Sequence, residues 1–329
     1  MASTSSAQSA MSLGPVLVTG GCGFIGFHIV SGILKREPEC QIHLLTSTLN
    51  SPAAQPKTIF HVACPDSTVQ QPEVFQRVNV GGARNLLASA KRTKGFQAFV
   101  NTFTSSVIHD NLTDLFDADE TFPVLKYPQQ KRIYTLTKAE AEGDILAANR
   151  ADGDSSMLTV SMRPATAFGE RDTVCMGKIV ANARAGKGKY QMGPGGNFPP
   201  QPQDVRVDGE SFNVTNNEPV YFWEFQRAIG ASVGLPIKKE EIKVIPIWFT
   251  FLMATISEWT TWIRTWGKQQ PIVTREAVQL TTITRTLKGE KARRILGYEP
   301  KVSMSEGLER AGKWFVEEAA RADDTRKTV

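Results

Sequence analysis

Three glycines at three-residue spacing, Gly20, Gly23 and Gly26 in the run Thr19-Gly20-Gly21-Cys22-Gly23-Phe24-Ile25-Gly26, constrain this chain more than any other feature. Before them lies a short apolar run, Pro15 to Thr19, and after them Ile25, Ile29 and Ile33 with Val30 and Leu34 recur at helical spacing. Strand, tight turn and amphipathic helix follow from that order. Glycines in such a turn let the backbone bend sharply and come close to a pyrophosphate, whose charge meets the N–H groups and dipole at the helix start. A glycine triplet alone would fit any tight turn. Its place between a strand and a helix is what points to a dinucleotide.

The same alternation continues downstream. Gln41 to Leu45 and Lys57 to Ala63 read as strands, Glu73 to Arg92 as a helix, Ala98 to Phe103 as a strand, Tyr134 to Ala148 as a helix and Leu158 to Arg163 as a strand. Strands alternating with helices predict an α/β chain, a Rossmann-type doubly wound parallel sheet covered on both faces, with its ligand at the carboxyl ends of the strands. Glycine, proline and glutamine crowd together over Gly186 to Asp208, which reads as a linker or loop. Beyond it Gly209 to Asn216 reads as a strand, Tyr221 to Gly230 as a helix, and the C-terminal third is mostly helical. The expected organisation is a disordered tail over 1–13, a dinucleotide-binding domain over 14–185 and a smaller, mostly helical substrate lobe over 186–329.

With 329 residues, 41% of them hydrophobic, the chain can bury an ordinary core. Its net charge of +5 is scattered, without a run of five or six like charges that would suggest a nucleic-acid arm. The balance fits an anionic partner or simply a soluble surface. Cys22, Cys40, Cys64 and Cys175 are far apart and form neither a C-x-x-C pair nor a cluster with histidine, so a reducing compartment and no metal are expected. The small, Ser-rich start Met1 to Ser12 lacks the basic and apolar parts of a secretory signal. Val244 to Ile263 is strongly apolar and aromatic, but Pro246 stands near its start and Glu258 within it. Those residues argue for a buried or membrane-surface helix rather than a spanning one.

A second constellation carries chemistry. Tyr134-Thr135-Leu136-Thr137-Lys138 places a phenol and an ammonium at i and i+4, on one helical face. The ammonium favours the phenolate, which makes the hydroxyl a usable general acid/base for a carbinol proton. Tyrosine and lysine meet at this spacing on many ordinary surface helices. Here the pair follows the hydroxyl-rich stretch Thr102 to Ser106 at a strand end, which favours a site. Cofactor choice is open: where a carboxylate would hold the adenosine ribose there is Thr46, followed by Ser47 and Thr48, with no adjacent arginine for a 2′-phosphate.

The glycine turn, Asn79-Val80-Gly81-Gly82, Tyr134 to Lys138, and Arg163-Pro164 before Phe168-Gly169 resemble, in order, the extended short-chain dehydrogenase/reductases. His28-Ile29-Val30 after the turn, Ser106 to Asp110, Asp119 to Pro123, Val244 to Trp248 and Leu296 to Leu308 narrow the likeness to the 3β-hydroxysteroid dehydrogenase branch, from about Val16 to Phe315. The resemblance implies Tyr134, Lys138 and Thr104 as catalytic residues, with Ser105 able to replace Thr104 if the loop is shifted. It implies Gly20, Gly23, Phe24, Ile25, Gly26, Asn79, Tyr134 and Lys138 as the cofactor site, for NAD or NADP with NAD slightly favoured. Hydroxyls at a strand end also satisfy backbone groups in proteins without such a site.

The activity so implied is oxidation of the 3β-hydroxyl of a sterol, steroid or triterpenoid, including a 4-carboxysterol whose ketone product would lose carbon dioxide. The alternatives are a reductase of another small carbonyl, like the dihydroflavonol reductases, and a truncated, non-catalytic relative. Also implied are a sterol-like substrate, no nucleic acid, peripheral membrane contact through 244–263, room for a homodimer, and a location on the cytoplasmic face of the endoplasmic reticulum or in the cytoplasm. Two regions are short for the family. Only about 35 residues separate the glycine turn from His61-Val62-Ala63, roughly two elements too few, with Asn50 to Pro56 bridging the gap. A second shortfall follows Asn197.

Overall fold

The computed structural model describes residues 12–45, 55–66, 71–153, 156–193, 207–266, 269, 271 and 273–327. The tail expected over 1–13 therefore lies outside the described residues except for Ser12 and Leu13, and the shortfall after Asn197 lies outside them too. The elements run β1 (Val16–Thr19), α1 (Phe24–Arg36), β2 (Ile42–Leu45), β3 (Thr58–His61), α2 (Pro72–Phe75), α3 (Gly82–Arg92), β4 (Ala98–Thr102), β5 (Leu115–Ala118), α4 (Ile133–Ala147) and β6 (Leu158–Pro164). They continue α5 (Met176–Arg184), β7 (Tyr190–Met192), β8 (Glu210–Val214), α6 (Phe222–Ser232), β9 (Lys243–Ile245), α7 (Ile247–Thr265), α8 (Arg275–Thr282), β10 (Arg285–Leu287), α9 (Glu290–Leu296) and α10 (Met304–Lys327).

Strand order in the main sheet is β2-β1-β3-β4-β6-β8, and the β1–β2, β1–β3 and β3–β4 pairs are parallel. From β1 the chain passes to β2 on one side and then to β3 on the other, so the order reverses beside β1. That reversal is the topological switch point at which open α/β sheets bind ligands. Among the described residues β2 is the edge strand, with Leu44 exposed. A fuller doubly wound order carries a further strand outside it.

The chain divides into two compact units, the first built from Met1–Thr102, Glu140–Ser161 and Asp208–Glu210, the second from Phe103–Ala139, Met162–Val207 and Ser211–Val329. In the first unit the period-two alternation of β1 sends successive side chains to opposite faces. Val16 and Val18 pack with Ile29, Val30 and Ile33 of α1. Leu17 points the other way, into a cluster with Ile59, Leu86, Leu87, Phe99 and Ile145. A sheet buried on both faces follows, and each such side chain contributes roughly 1.5–3 kcal/mol on burial.

The helix expected over Glu73 to Arg92 forms, with one departure. Between α2 and α3 a π turn occupies Gln76–Gly81, where the Gly82 N–H reaches back to the Arg77 carbonyl. Such turns insert one residue into an α-helix and occur frequently at functional sites.

The second unit holds two small parallel sheets, β5 with β10 and β7 with β9. The second corrects the linker reading of Gly186 to Asp208, because Tyr190 to Met192 within that stretch pair with Lys243 to Ile245. Met176, Val180, Ile229 and Ala311 form one core of this unit, and Phe103, Val107, Ile108 and Ala118 another. Helix α7 turns Thr250 and Ala254 inward while Trp248, Phe249, Leu252, Met253, Ile256, Trp259, Trp262 and Ile263 stay exposed. No described helix is long and apolar enough to cross a membrane.

Candidate active site

In the first unit the end of β1 is tied to the end of β3. Thr19 Oγ1 lies 2.8 Å from His61 Nδ1 and accepts from the backbone N–H groups of Val62 and Ala63 at 3.1 Å each. The chain then enters the glycine turn. Gly20 takes a φ of +69°, where a Cβ would also sit 2.9 Å from the Ala63 backbone. At Gly26 a Cβ would lie 2.1 Å from the Gly20 carbonyl oxygen and 2.7 Å from the Gly21 Cα. Only glycine lets the first turn of α1 close so tightly on the end of β1.

Gly23, Phe24, Ile25 and Gly26 thus stand together at the start of α1. Gly23 precedes the helix in extended conformation and no side chain caps it. An uncapped 13-residue helix opening at the switch point is the cradle a pyrophosphate requires. The residues present fit a dinucleotide on that side. In sequence, the segment between β2 and β3 carries no ionisable side chain from Thr46 to Pro56. Asn79 lies in the π turn of the same unit, with only 2% of its surface exposed.

The other candidates lie in the second unit. Thr104 follows β4 and caps the 3₁₀ turn Ser105–Ile108, its hydroxyl accepting from the Ser106 N–H at 3.2 Å and lying 3.0 Å from the Ser106 Oγ. It therefore serves the backbone, and its remaining hydrogen-bonding capacity is what a substrate oxygen could use. Tyr134 lies one residue into α4 and is partly exposed, whereas Lys138, one turn later, is buried with 5% of its surface exposed. The Lys138 ammonium stands 5.4 Å from the centre of the Phe103 ring, a cation–π distance. Thr137 turns its hydroxyl back onto the Ile133 and Tyr134 carbonyls, at 2.8 and 3.1 Å, within the same turn of helix.

Sequence reasoning missed two residues of this cluster. Gln130 is fully buried just before α4, and His109 is buried just after the 3₁₀ turn. A glutamine in the polar run Pro128 to Arg132 shows no periodicity that could have marked it. Cys22 lies exposed in the glycine turn, while Cys175 is set in the second unit beside Asp172, where burial first and that carboxylate second push its thiol up to about 11.

The description of the 3-beta hydroxysteroid dehydrogenase/isomerase family matches residues 46–199. A sterol-4-alpha-carboxylate 3-dehydrogenase (decarboxylating) of Candida albicans is 30% identical, the alignment covering 93% of this chain and 99% of the relative. The chain belongs to the 3-beta hydroxysteroid dehydrogenase/isomerase family. Another family member, the sterol-4-alpha-carboxylate 3-dehydrogenase of Saccharomyces cerevisiae, is 28% identical over 92% of this chain and 98% of its own length. An Arabidopsis thaliana 3beta-hydroxysteroid-dehydrogenase/decarboxylase is 31% identical over 77% of this chain, which spans only 61% of that protein.

The Candida alignment extends over 359 positions against a chain of 329 residues, so that relative carries segments this family member lacks. Among solved structures, the UDP-glucose 4-epimerase of Thermotoga maritima superposes with a TM-score of 0.64 at 18% identity, covering 92% of this chain and 99% of the epimerase. The dTDP-glucose 4,6-dehydratase of Bacillus anthracis, solved with NAD, gives 0.63 at 17%, covering 93% and 97%. At such identities the likeness establishes the fold.

Proposed function

We propose that this chain is a nicotinamide-dependent oxidoreductase that oxidises the 3β-hydroxyl of a sterol-like substrate, with a 4-carboxysterol as the substrate that its fungal relatives' names favour. One observation carries the reading: a buried lysine one helical turn from a partly exposed tyrosine, in the same unit as a hydroxyl-capped turn. A bound dinucleotide, cradled at Gly20, Gly23 and Gly26, supplies the hydride acceptor. Tyr134 takes the carbinol proton on its phenolic oxygen. Lys138, removed from water, stabilises the phenolate more strongly than an exposed lysine would. Thr104 directs its hydroxyl at the substrate oxygen, and Asn79 braces the strand ends near the cofactor. A 4-carboxylated substrate becomes a β-keto acid at that point, whose carboxylate is lost with its electrons delocalised into the new carbonyl. Carbon dioxide leaves, and the enolate so formed takes its proton from water, so no further acid or base is required of the protein.

A sterol is insoluble in water, and α7 presents Trp248, Trp259 and Trp262 with more than half of each surface exposed. A shallow groove of about 470 Å³ adjoins the start of the helix, lined by Gln191, Gly193, Val244, Ile245, Pro246 and Ile247. The reading therefore includes α7 resting on a membrane surface, on the cytoplasmic face of the endoplasmic reticulum. The deciding experiment is Tyr134→Phe, assayed for substrate-dependent NADH or NADPH formation with a panel of 3β-hydroxysterols. Turnover should fall by at least ~10²-fold while dinucleotide binding by calorimetry is kept. Turnover at the unmodified rate would refute the assignment.

A further inference from the structure

We infer that Gln130 is a positioning residue: its buried amide locks the start of α4, and through it Tyr134, to the turn that begins at Thr104. The inference rests on the proposed oxidoreductase reading and adds to it a residue that neither touches substrate nor belongs to the motif. Gln130 has no exposed surface. A primary amide has several hydrogen-bonding sites, and burying them unsatisfied costs ~1–3 kcal/mol apiece. Here Nε2 donates to the His109 carbonyl at 2.6 Å, and Oε1 accepts from the backbone N–H groups of Lys131 at 2.9 Å and Arg132 at 2.8 Å. One side chain thus joins two backbone segments 21 residues apart.

Both segments lead to the candidate catalytic groups. His109 ends the 3₁₀ turn Ser105–Ile108, whose first hydroxyl is that of Thr104 and whose Val107 and Ile108 are buried. The His109 ring is held in turn, its Nδ1 accepting from the Asn111 N–H at 3.0 Å and its Nε2 donating to the Thr113 carbonyl at 2.9 Å. On the other side the Arg132 carbonyl accepts the first α-helical bond of α4, from the Leu136 N–H at 3.0 Å. Arg132 is accordingly the residue before the helix, and Tyr134 lies two residues beyond the N–H that Gln130 holds. A proton acceptor and its hydroxyl partner must keep their geometry to within roughly half an ångström for efficient transfer. The Gln130 amide is thus a side-chain bridge from one of these backbone segments to the other.

The test uses the full-length chain, NAD, a soluble 3β-hydroxysteroid and two variants. Gln130→Met keeps the volume and removes all three bonds. Gln130→Glu keeps the oxygen that Lys131 and Arg132 share but, when ionised, cannot donate to His109. Expected for Gln130→Met is a kcat lower by ~10- to 100-fold, with the KM for NAD and the calorimetric NAD affinity within ~3-fold of the parent. Gln130→Glu should fall between the two, and it carries the comparison alone if the methionine variant does not fold. An unchanged kcat, or a kcat and NAD affinity that fall together, would overturn the inference. Amide hydrogen exchange at Lys131 and Arg132, faster by at least ~10-fold in Gln130→Met, checks the clamp without turnover, and unaltered exchange would overturn it as well. Tyr134→Phe is assayed beside them: full turnover there defeats the catalytic reading itself, and exchange then judges the clamp separately.

Discussion

Gly26 has no room for a methyl group, because what a Cβ would strike is backbone, the Gly20 carbonyl oxygen at 2.1 Å and the Gly21 Cα at 2.7 Å. Neither can swing aside as a flexible side chain would. Gly26→Ala should therefore lower stability by about 1–3 kcal/mol and weaken dinucleotide binding by at least ~10-fold, as calorimetry and thermal unfolding would register. Gly32, in the same helix, has nothing within 4 Å of a built Cβ, so Gly32→Ala should be neutral or stabilising by up to ~1 kcal/mol. Equal losses for both variants would mean that the backbone does not crowd Gly26 as these contacts require. Cysteine reactivity gives a second contrast. The Cys175 thiol, raised to about 11 chiefly by burial, stays protonated at pH 8 and should resist iodoacetamide, whereas exposed Cys22 and Cys64 should be alkylated first. Bound NAD or NADP should shield Cys22, since it lies in the glycine turn proposed to cradle the pyrophosphate. Peptide mapping with and without dinucleotide would check both points.

At the scale of elements, β2 is where the fold departs most from a full doubly wound sheet. It is the edge of the described sheet, and the segment that leaves it has neither a carboxylate for the ribose hydroxyls nor a cation for a 2′-phosphate. Discrimination between the two dinucleotides is a difference of two affinities, and the sequence from Thr46 to Pro56 carries no charge to create one. NAD and NADP should bind with dissociation constants within ~10-fold of each other, and a preference beyond ~100-fold in a titration would show another residue reading the phosphate. What the sequence disclosed about its elements follows a physical pattern. β1, α1 and α4 were legible because an apolar period or a glycine turn marks them locally. β5 and β7 were not: β7 has only three residues, and β5, as short as β1, lacks the glycine turn that marks β1. β5 takes its ladder partner from β10, far along the chain. The π turn differs from an α-helix by one hydrogen-bond shift that composition does not record. Tyr134 and Lys138 stood out by i,i+4 spacing, but Gln130 owes its place to tertiary bonds that no local pattern announces.

For the molecule as a whole, the membrane contact proposed for α7 turns on its exposed aromatic side chains. Folding normally hides large aromatic side chains, yet Trp248, Trp259 and Trp262 are 67%, 61% and 53% exposed along one helix. Their burial at a lipid interface would release apolar surface worth about 25 cal/mol per Å², and indole favours the interfacial zone because one end is apolar and the other a hydrogen-bond donor. A net charge of +5 adds an attraction to anionic headgroups that salt screens. The full chain should consequently float with vesicles containing phosphatidylserine at low salt and keep part of that binding at high salt, where only the apolar contribution remains. Replacing the three tryptophans together by serine should reduce vesicle partitioning by at least ~10-fold. Because these side chains already face outward, the melting temperature should move little, and turnover of a water-soluble 3β-hydroxysteroid should persist. If the variant floats as well as the parent, α7 is not the membrane contact; if the parent stays in the aqueous fraction at both salt concentrations, the surface needs another occupant.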